Sequence, residues 1–419
     1  MFLRTIFKIG FVVIVLCTVA FAVDGVQPSS GGNLGMANSV CNCRGFCDMD
    51  GEEELTPVDV SYIVNFVYRG LDARPRLPDC PEENGDWDCG GSVDPIDVSY
   101  YVNYVYRQQG TGPCDPCVPL PFIEVTSQTS YHITRDVVVN NTDVTLSKLI
   151  VMIPLPQTNN YQTVSNLTAV GATVLGIPET DDLYARWINT ELALPPPGES
   201  WTFPTTFDVT LNALHVNLDQ ITTIFPYNTS SDLYQWYTGS SGDYVDPDNA
   251  TIQAIGTIIW SQSTDILDYA ERCYEFVASA YSYLNPNTGL HPLATILSWG
   301  GGDCGNLSSI YISLLRYKDI PSRHVVTIRP DNTHHVWADF YMEGYGWIPV
   351  DVTYKMSYPS SNFFGEYDGN GIVVTKEVHL LLELQPADPV YVGLLQGFAW
   401  WWWGSGTTIT ADHVMTSVP

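Results

Sequence analysis

The chain has 419 residues, with 46 Asp and Glu against 17 Lys and Arg, and its formal net charge is −29. This excess of negative charge argues against a nucleic-acid-binding protein, because phosphates would be repelled, and it favours cations or basic partners. A chain of this length is expected to fold as two to four domains, each with its own core.

The first residues have the pattern of a secretory signal peptide. MFLRTIFK is basic, IGFVVIVLCTV is apolar, and Ala20-Phe21-Ala22 is a cleavage site of the A-x-A type. We therefore expect residues 1–22 to be removed before Val23, followed by a linker at 23–40, in a secreted or cell-surface protein. No later segment reaches the roughly 18 apolar residues of a spanning helix, so no membrane span is expected in the mature chain.

An internal repeat follows. VDVSYIVNFVYR at 58–69 recurs as IDVSYYVNYVYR at 96–107, and each copy is preceded by an acidic loop. Counted from Asp48 and from Asp86, oxygen-bearing side chains fall at positions 1, 3, 9 and 12, which is an EF-hand-like calcium pattern. The predicted Ca²⁺ ligands are Asp48, Asp50, Glu52, Thr56 and Asp59 in the first loop, and Asp86, Asp88, Asp94 and Asp97 in the second.

Two such loop-helix units, with Asp rather than Glu at position 12, resemble the dockerin family over residues 41–117. The resemblance implies a small all-α module that is folded by Ca²⁺ and docks onto a cohesin-type protein. The alternative is a pair of acidic, solvated turns before two amphipathic helices.

Seven cysteines lie in the same region. In an exported module, cysteines in this number are expected to form disulfides and not to bind zinc. Because seven is an odd number, one thiol stays unpaired or pairs elsewhere, and the sequence does not define the connectivity. The seven cysteines are Cys41, Cys43, Cys47, Cys80, Cys89, Cys114 and Cys117.

Residues 118–245 show strand patterns in place of helical periodicity. Apolar residues alternate with polar ones from Trp201 to Leu211, and LIVMIPLP at 149–156 is typical of a buried strand. Several such strands separated by Pro, Gly and Asn predict a β-sandwich of the immunoglobulin-like kind, with a packing or spacing role.

The segment GGGDCGNLSSIYISLL carries the strongest chemical signal. Its apolar spacing places Cys304 in the first turn of a helix, where unpaired N–H groups and the helix dipole stabilise a thiolate. His335 and Asp351 lie on alternating stretches, VWADFYM and WIPVDVT, that predict two neighbouring strands. Thiol, imidazole and carboxylate together form an acyl-transfer nucleophile.

This order of Cys, His and Asp, with GDC, H-x-W and W-x-x-V-D around them, resembles the transglutaminase-like superfamily over about residues 250–390. The turn Asp319-Ile320-Pro321-Ser322-Arg323 matches the family's G-I-P-[AS]-R. The resemblance implies a papain/transglutaminase-like α+β catalytic domain at 246–390 that needs no cofactor for catalysis. It further implies that Cys304 is the nucleophile, that His335 is the base and acid, and that Asp351 orients the imidazole. The H-x-W spacing selects His335 over the adjacent His334.

Three other features of this part of the chain are open to more than one interpretation. Cys273 is expected in a helical core, although a disulfide with Cys304 is an alternative. Trp299 is a candidate oxyanion donor together with the Cys304 amide. In the tail at 391–419, the run FAWWWW predicts Trp400 and Trp402 on one strand face and Trp401 and Trp403 on the other, either buried or forming an aromatic platform.

The sequence therefore predicts an exported, multidomain α+β thiol enzyme that acts on amide or peptide carbonyls of a protein or peptide and is tethered through the dockerin-like module. Whether it is a protease or amidase, or a protein-glutamine acyltransferase, is left open, because the outcome depends on how well the acyl-enzyme is shielded from water. The alternative is an accessory component of a cohesin–dockerin surface assembly or of a polysaccharide-degrading assembly.

Overall fold

The computed structural model describes residues 47, 55–69, 87, 93, 95–109, 122–178, 180–190, 194–284 and 289–419. The predicted signal peptide, the linker and most of both predicted calcium loops lie outside these residues. The chain divides into two compact units, Met1–Pro119 and Leu120–Pro419.

The described part contains both helices and strands, so the fold is mixed α+β. Its α-helices are α1 (Pro57–Arg69), α2 (Pro95–Arg107), α3 (Asp232–Thr238), α4 (Ala250–Trp260), α5 (Ile266–Ala280), α6 (Leu293–Trp299), α7 (Cys304–Arg316) and α8 (Val352–Ser357). Its strands are β1 (Ile123–Asn141), β2 (Thr145–Leu155), β3 (Gln162–Thr168), β4 (Thr173–Ile177), β5 (Asp182–Thr190), β6 (Glu199–Val216), β7 (Ser282–Tyr283), β8 (Gly301–Gly302), β9 (Ser322–Ile328), β10 (His334–Met342), β11 (Gly346–Val350), β12 (Glu366–Tyr367), β13 (Ile372–Thr375), β14 (Leu380–Gln385), β15 (Asp388–Val392), β16 (Ala399–Ser405) and β17 (Ile409–Val418). None of the helices in the described ranges is long and apolar enough to cross a membrane.

In the first unit the two repeated helices pack on each other. The buried contacts come from equivalent positions of the two copies, Val60 and Ile63 in α1 and Val98 and Tyr101 in α2. Trp87 completes the cluster, with its ring centroid 4.6 Å from that of Tyr101. The repeat in the sequence thus produces a helix pair in which each copy buries the same face.

In the second unit two antiparallel sheets share one core. One sheet has the strand order β12-β6-β1-β17, with β3 also on β6, and the other has the order β16-β2-β5-β4. Val137 of β1 and Phe203 of β6 pack against Val151 of β2 and Trp187 of β5. Buried residues alternate along β6 from Phe203 to Leu211, as the sequence predicts for a half-buried strand. Phe203 faces the core shared by the two sheets, whereas Phe207, Val209 and Leu211 pack in a second cluster with Val326 and Ile372.

The tryptophan run belongs to these sheets. β16 pairs with β2, and β17 pairs with β1. Trp400 and Trp402 pack in the shared core, whereas Trp401 packs on the opposite face of its sheet with Leu380 and Leu382. The predicted alternation is confirmed, and three of the four rings contribute to packing and not to an open platform.

A third sheet, of order β11-β10-β9-β13, carries the candidate catalytic strands. Helix α7 is buried along almost its whole length, and Leu307, Ile310 and Leu314 pack with Phe340 and Ile348 of the sheet. Burial on all sides fixes α7, and therefore the position of its first residue.

Candidate active site

Cys304 is the first residue of α7, as the sequence predicts, and is partly buried. The helix is capped by Asp303, whose Oδ1 accepts hydrogen bonds from Asn306 N at 3.1 Å and from Asn306 Nδ2 at 2.7 Å. Such a cap satisfies an N–H group that would otherwise lack a partner in the first turn. The thiol therefore lies at the positive end of a well-defined helix dipole.

The glycines before Cys304 allow a close backbone approach. β8 pairs in parallel with β7, and Ser282 N donates to Gly300 O at 3.0 Å. A Cβ atom at Gly301 would lie 2.0 Å from Ser282 O, which no side chain could tolerate. Glycine is therefore required at position 301. It lets β7, which contains Tyr283, lie directly beside β8, the strand that precedes Cys304.

His335 and Asp351 lie together. Nε2 of His335 is 2.5 Å from Oδ2 of Asp351. The other oxygen, Oδ1, accepts hydrogen bonds from Thr353 N at 3.0 Å, Thr353 Oγ1 at 2.8 Å and Tyr354 N at 2.9 Å. Asp351 is thus both the N-cap of α8 and the partner of the imidazole, so its carboxylate is held in one orientation.

The electrostatics favour an ion pair. Burial alone would lower the pKa of His335, but Asp351 and the thiol of Cys304 outweigh it and raise the pKa to about 10. Burial would raise the pKa of Asp351, but His335 and the hydrogen bonds from Tyr354 and Thr353 hold it below its ordinary value. At neutral pH the site therefore holds an imidazolium between a carboxylate and the thiol.

The imidazole is also held by residues that the sequence patterns did not single out. Tyr354 stacks on His335 with ring centroids 4.8 Å apart and an interplanar angle of 16°. The Tyr354 hydroxyl accepts hydrogen bonds from Arg329 Nη2 and, at 3.2 Å, from Asn370 Nδ2. In the sequence, the only indication that Tyr354 contacts the imidazole is its position directly after the V-D-V-T segment that contains Asp351.

A cleft of ≈ 200 Å³ opens at Cys304. Its lining residues are Tyr283, Gly289, Leu290, Asp303, Cys304, Gly305, His334, Val336, Leu394 and Gln396. His334 thus lines the cleft, while His335 pairs with Asp351. Trp299, the oxyanion donor considered from the sequence, is not among the lining residues and packs edge-on against His291 at 4.9 Å. Tyr283 occupies the cleft wall instead.

Two other ionisable groups of this domain, Cys273 and Asp339, are buried. Cys273 and Cys304 form no disulfide, and Cys273 is fully buried in α5, where burial raises the pKa of its thiol well above the ordinary value. Asp339, two strand positions from Trp337, is also fully buried. It accepts hydrogen bonds from Tyr161 Oη at 2.5 Å and from Arg323 Nη2 at 3.0 Å, so its role is structural.

Of the predicted calcium ligands, the described residues include Thr56, Asp59 and Asp97, and the other six lie outside them. Asp59 and Asp97 are buried in the first turns of α1 and α2. Asp59 Oδ2 accepts from Thr56 N at 2.6 Å, and Asp97 Oδ1 accepts from Trp87 N at 2.7 Å. Within the described ranges there is no group of three or more His, Cys, Asp or Glu side chains placed to hold a metal ion.

Residues 253–352 match the model of the transglutaminase-like superfamily, so this part of the chain is a transglutaminase-like domain. That match supports an enzyme of the cysteine hydrolase or acyltransferase kind. No curated protein matches the chain.

Among solved structures, a proposed cysteine protease from Cytophaga hutchinsonii is 12% identical with a TM-score of 0.48, over 70% of this chain and 92% of that one. The periplasmic domain of TgpA from Pseudomonas aeruginosa, bound to ethylmercury, is 14% identical with a TM-score of 0.30, over 53% and 76%. A proposed protease from Parabacteroides distasonis is 9% identical with a TM-score of 0.24, over 51% and 42%. Similarities of this size do not by themselves define an activity.

Proposed function

We propose that the transglutaminase-like domain is a thiol enzyme that cleaves or transfers amide bonds of a protein or peptide. The observation that carries the proposal is the pairing of His335 with Asp351 at 2.5 Å, beside a cysteine at the N-terminus of a buried helix. An imidazolium whose pKa is about 10 keeps its proton at neutral pH and stabilises a neighbouring thiolate.

In the first step, Sγ of Cys304 bonds to the carbonyl carbon of the substrate. The carbon–nitrogen bond then breaks, and His335 gives its proton to the leaving amine. In the second step, neutral His335 removes a proton from water or from an acceptor amine, which attacks the thioester and releases Cys304. Asp351 keeps its charge throughout and fixes the imidazole.

Tyr283 is the proposed side-chain donor to the oxyanion, together with the backbone N–H of Cys304. The close pairing of β7 with β8 holds Tyr283 in the wall of the cleft that Cys304 also lines. Burial raises the pKa of Tyr283, and the neighbouring Cys304 and Asp303 raise it further, so the hydroxyl keeps its proton. Tyr283→Phe removes the donor and keeps the ring, and we expect kcat to fall about tenfold to a hundredfold with little change in melting temperature.

Hydrolysis is the branch that we favour. Tyr283 is 51% exposed, so water reaches the wall of the cleft where the thioester would form. A glutamine-containing protein offered with a labelled primary amine separates the branches. New peptide termini or ammonia release without label indicate a hydrolase, whereas incorporation of the amine indicates a transferase.

Reactivity of the thiol tests the proposal itself. We expect iodoacetamide to label Cys304 ahead of Cys273 near neutral pH and to stop activity, because the buried Cys273 is held as a thiol. An unreactive Cys304, with neither product formed across a broad substrate panel, would remove the enzyme proposal. The accessory role in a surface or polysaccharide-degrading assembly would then be the better account.

We further propose that the first unit binds Ca²⁺ as a dockerin-like module on an exported protein. The support is the matched burial of Asp59 and Asp97 at the starts of two repeated helices. Calorimetry on the full chain, with and without chelator, should give a heat of binding and a higher melting temperature with Ca²⁺. No heat and no shift would remove the calcium proposal, and N-terminal sequencing of the exported chain tests cleavage before Val23.

A further inference from the structure

A second concave site lies away from the thiol. It is a pocket of ≈ 260 Å³ whose lining includes Gln235, Trp236, Ser240, Glu377, His379 and Tyr391, and we call it the aromatic pocket. Its walls come from α3, from the turn after α3, from the segment between β13 and β14, and from β15. None of these residues takes part in the proposed catalytic steps.

Two aromatic rings of the pocket are exposed to solvent. Trp236 is 40% exposed and Tyr391 is 60% exposed. One face of Tyr391 stacks on His379 with centroids 4.3 Å apart and an interplanar angle of 12°. The stacking holds Tyr391 as a rigid wall, and its exposed area offers a flat apolar surface to a ligand.

The backbone beneath the rings is strained. Glu377 has φ +114° and His379 has φ +57°, although neither is glycine. Such conformations are sterically unfavourable for residues other than glycine, and they persist where the surroundings enforce them, as at active sites and ligand sites. His379 N donates to Gly393 O at 2.8 Å, and a Cβ at Gly242 would lie 2.5 Å from His379 Nδ1. The fold thus fixes the imidazole that supports Tyr391.

One buried arginine joins the two walls. Arg316, at the end of α7, is 1% exposed. It donates to Gly239 O at 2.7 Å, to Ser241 Oγ at 2.8 Å and to the carboxylate of Glu377. The pocket is therefore preformed, and a ligand would not bear the cost of ordering its walls.

The chemistry of the pocket selects the ligand. Arg316 neutralises Glu377, the carboxylate in the wall, and the pocket offers no unpaired cation among its lining residues to bind an anion. Besides the ring of Tyr391, the exposed groups of the pocket include the amide of Gln235, the hydroxyl of Ser240 and the indole of Trp236. Flat aromatic surfaces beside neutral hydrogen-bonding groups suit a pyranose ring, which stacks through its C–H face and donates and accepts through its hydroxyls. We propose that the aromatic pocket binds a neutral sugar unit of a glycan.

This site is remote from the thiol cleft. Arg316 contacts the pocket and Cys304 starts the same helix, so their separation along the helix axis is about 18 Å at 1.5 Å per residue. Sugar binding is thus independent of the thiol chemistry, and Cys304→Ala should not affect it. At this distance, the aromatic pocket could hold the glycan of a substrate or of a support while the thiol cleft stays open to a peptide.

The test uses the full chain carrying Cys304→Ala and calorimetric titration with neutral β-1,4-linked oligomers of glucose, xylose and N-acetylglucosamine. We expect binding of at least one series, weakened about tenfold or more by Tyr391→Ala and by Trp236→Ala. Trp260→Ala is the matched control, because Trp260 is 38% exposed and lies outside the pocket, and it should leave binding unchanged.

Gln235→Ala, an exposed change that should not disturb folding, provides a second variant and should also weaken binding. Each variant is first compared with the parent by thermal melting. Absence of binding to all three series at millimolar concentration would overturn the proposal. The proposal would also be overturned if Trp260→Ala weakened sugar binding as much as Tyr391→Ala does. Binding of a proline-rich peptide, with no binding of any sugar, would overturn it as well.

Discussion

The Nε2 atom of His335 lies 2.5 Å from Oδ2 of Asp351, and this contact commits one side of the imidazole ring to the carboxylate. Only Nδ1 is then left to exchange a proton with the thiol or with a substrate. His335 lies in β10, whereas Asp351 comes directly after the end of β11, as the N-cap of α8, and not within the strand that the sequence predicted. Because β10 and β11 are antiparallel neighbours, the relative position of the two residues depends on the register of these strands.

Asp351→Asn should lower turnover by orders of magnitude with little change in KM, because the amide cannot stabilise the imidazolium and favours the wrong tautomer. Steady-state kinetics check this. Asp219→Asn is the control, since Asp219 is an exposed carboxylate of the same unit, and it should be neutral. Equal losses in both variants would contradict the role given to Asp351.

Asp339→Asn should act differently from Asp351→Asn, by lowering stability. Asp339 is fully buried and pairs with Arg323, whose side chain is 12% exposed, so its neutralisation leaves a largely buried guanidinium without this counter-ion. We expect a loss of about 3 kcal/mol or more in the free energy of unfolding, measured by chemical denaturation. An unchanged melting curve would show that the pair contributes nothing.

The raised pKa of His335 should appear in the stability of the protein. Because the folded-state pKa is about 10 and the unfolded value is about 6.5, the imidazolium contributes its full stabilisation below pH 6.5 and loses it as pH rises toward 10. The difference in unfolding free energy between the parent and His335→Gln should shrink across this window. A difference that is independent of pH would mean that the imidazole is neutral in the folded state.

Tyr354 should position the imidazole through its ring. Tyr354→Ala removes the stacked surface 4.8 Å from His335, and we expect kcat to fall about a hundredfold while KM changes little. Tyr354→Phe keeps the ring and should retain most of the activity. A larger fall in kcat for Tyr354→Phe than for Tyr354→Ala would show that the hydroxyl and its contact with Arg329 position the imidazole, and not the ring.

Asp319→Gly should stabilise the protein. Asp319 follows α7 at the position where the family pattern has glycine, and its φ is +55°. Glycine adopts this conformation without steric cost, so we expect a gain of up to about 1 kcal/mol in the free energy of unfolding. Asp319→Ala, which keeps the Cβ and loses the polar side chain, should destabilise it. The opposite order would contradict the steric argument.

Local patterns in the sequence predicted much of this fold, and long-range pairing explains what they missed. The start of α7 at Cys304 follows from the Asp303 cap and the apolar spacing, and the faces of Trp400 to Trp403 follow from strand alternation. The sequence could not show that Tyr283 reaches the cleft, because β7 and β8 have two residues each and no periodicity. The partners of Asp339 and Tyr354 depend in the same way on tertiary contacts. The catalytic roles of Cys304, His335 and Asp351 stay predictions.

The pairing of β1 with β17 has a consequence for how the chain reaches its folded state. Arg135 of β1 and His413 of β17 form a hydrogen bond across 278 positions of sequence, so the sheet cannot close until the last strand has been synthesised. Contacts this distant in sequence form slowly. Until they form, the tryptophans of β16 lack their cover and are prone to aggregate. A chain truncated after the transglutaminase-like domain would keep every proposed catalytic residue and still fail to complete its β core.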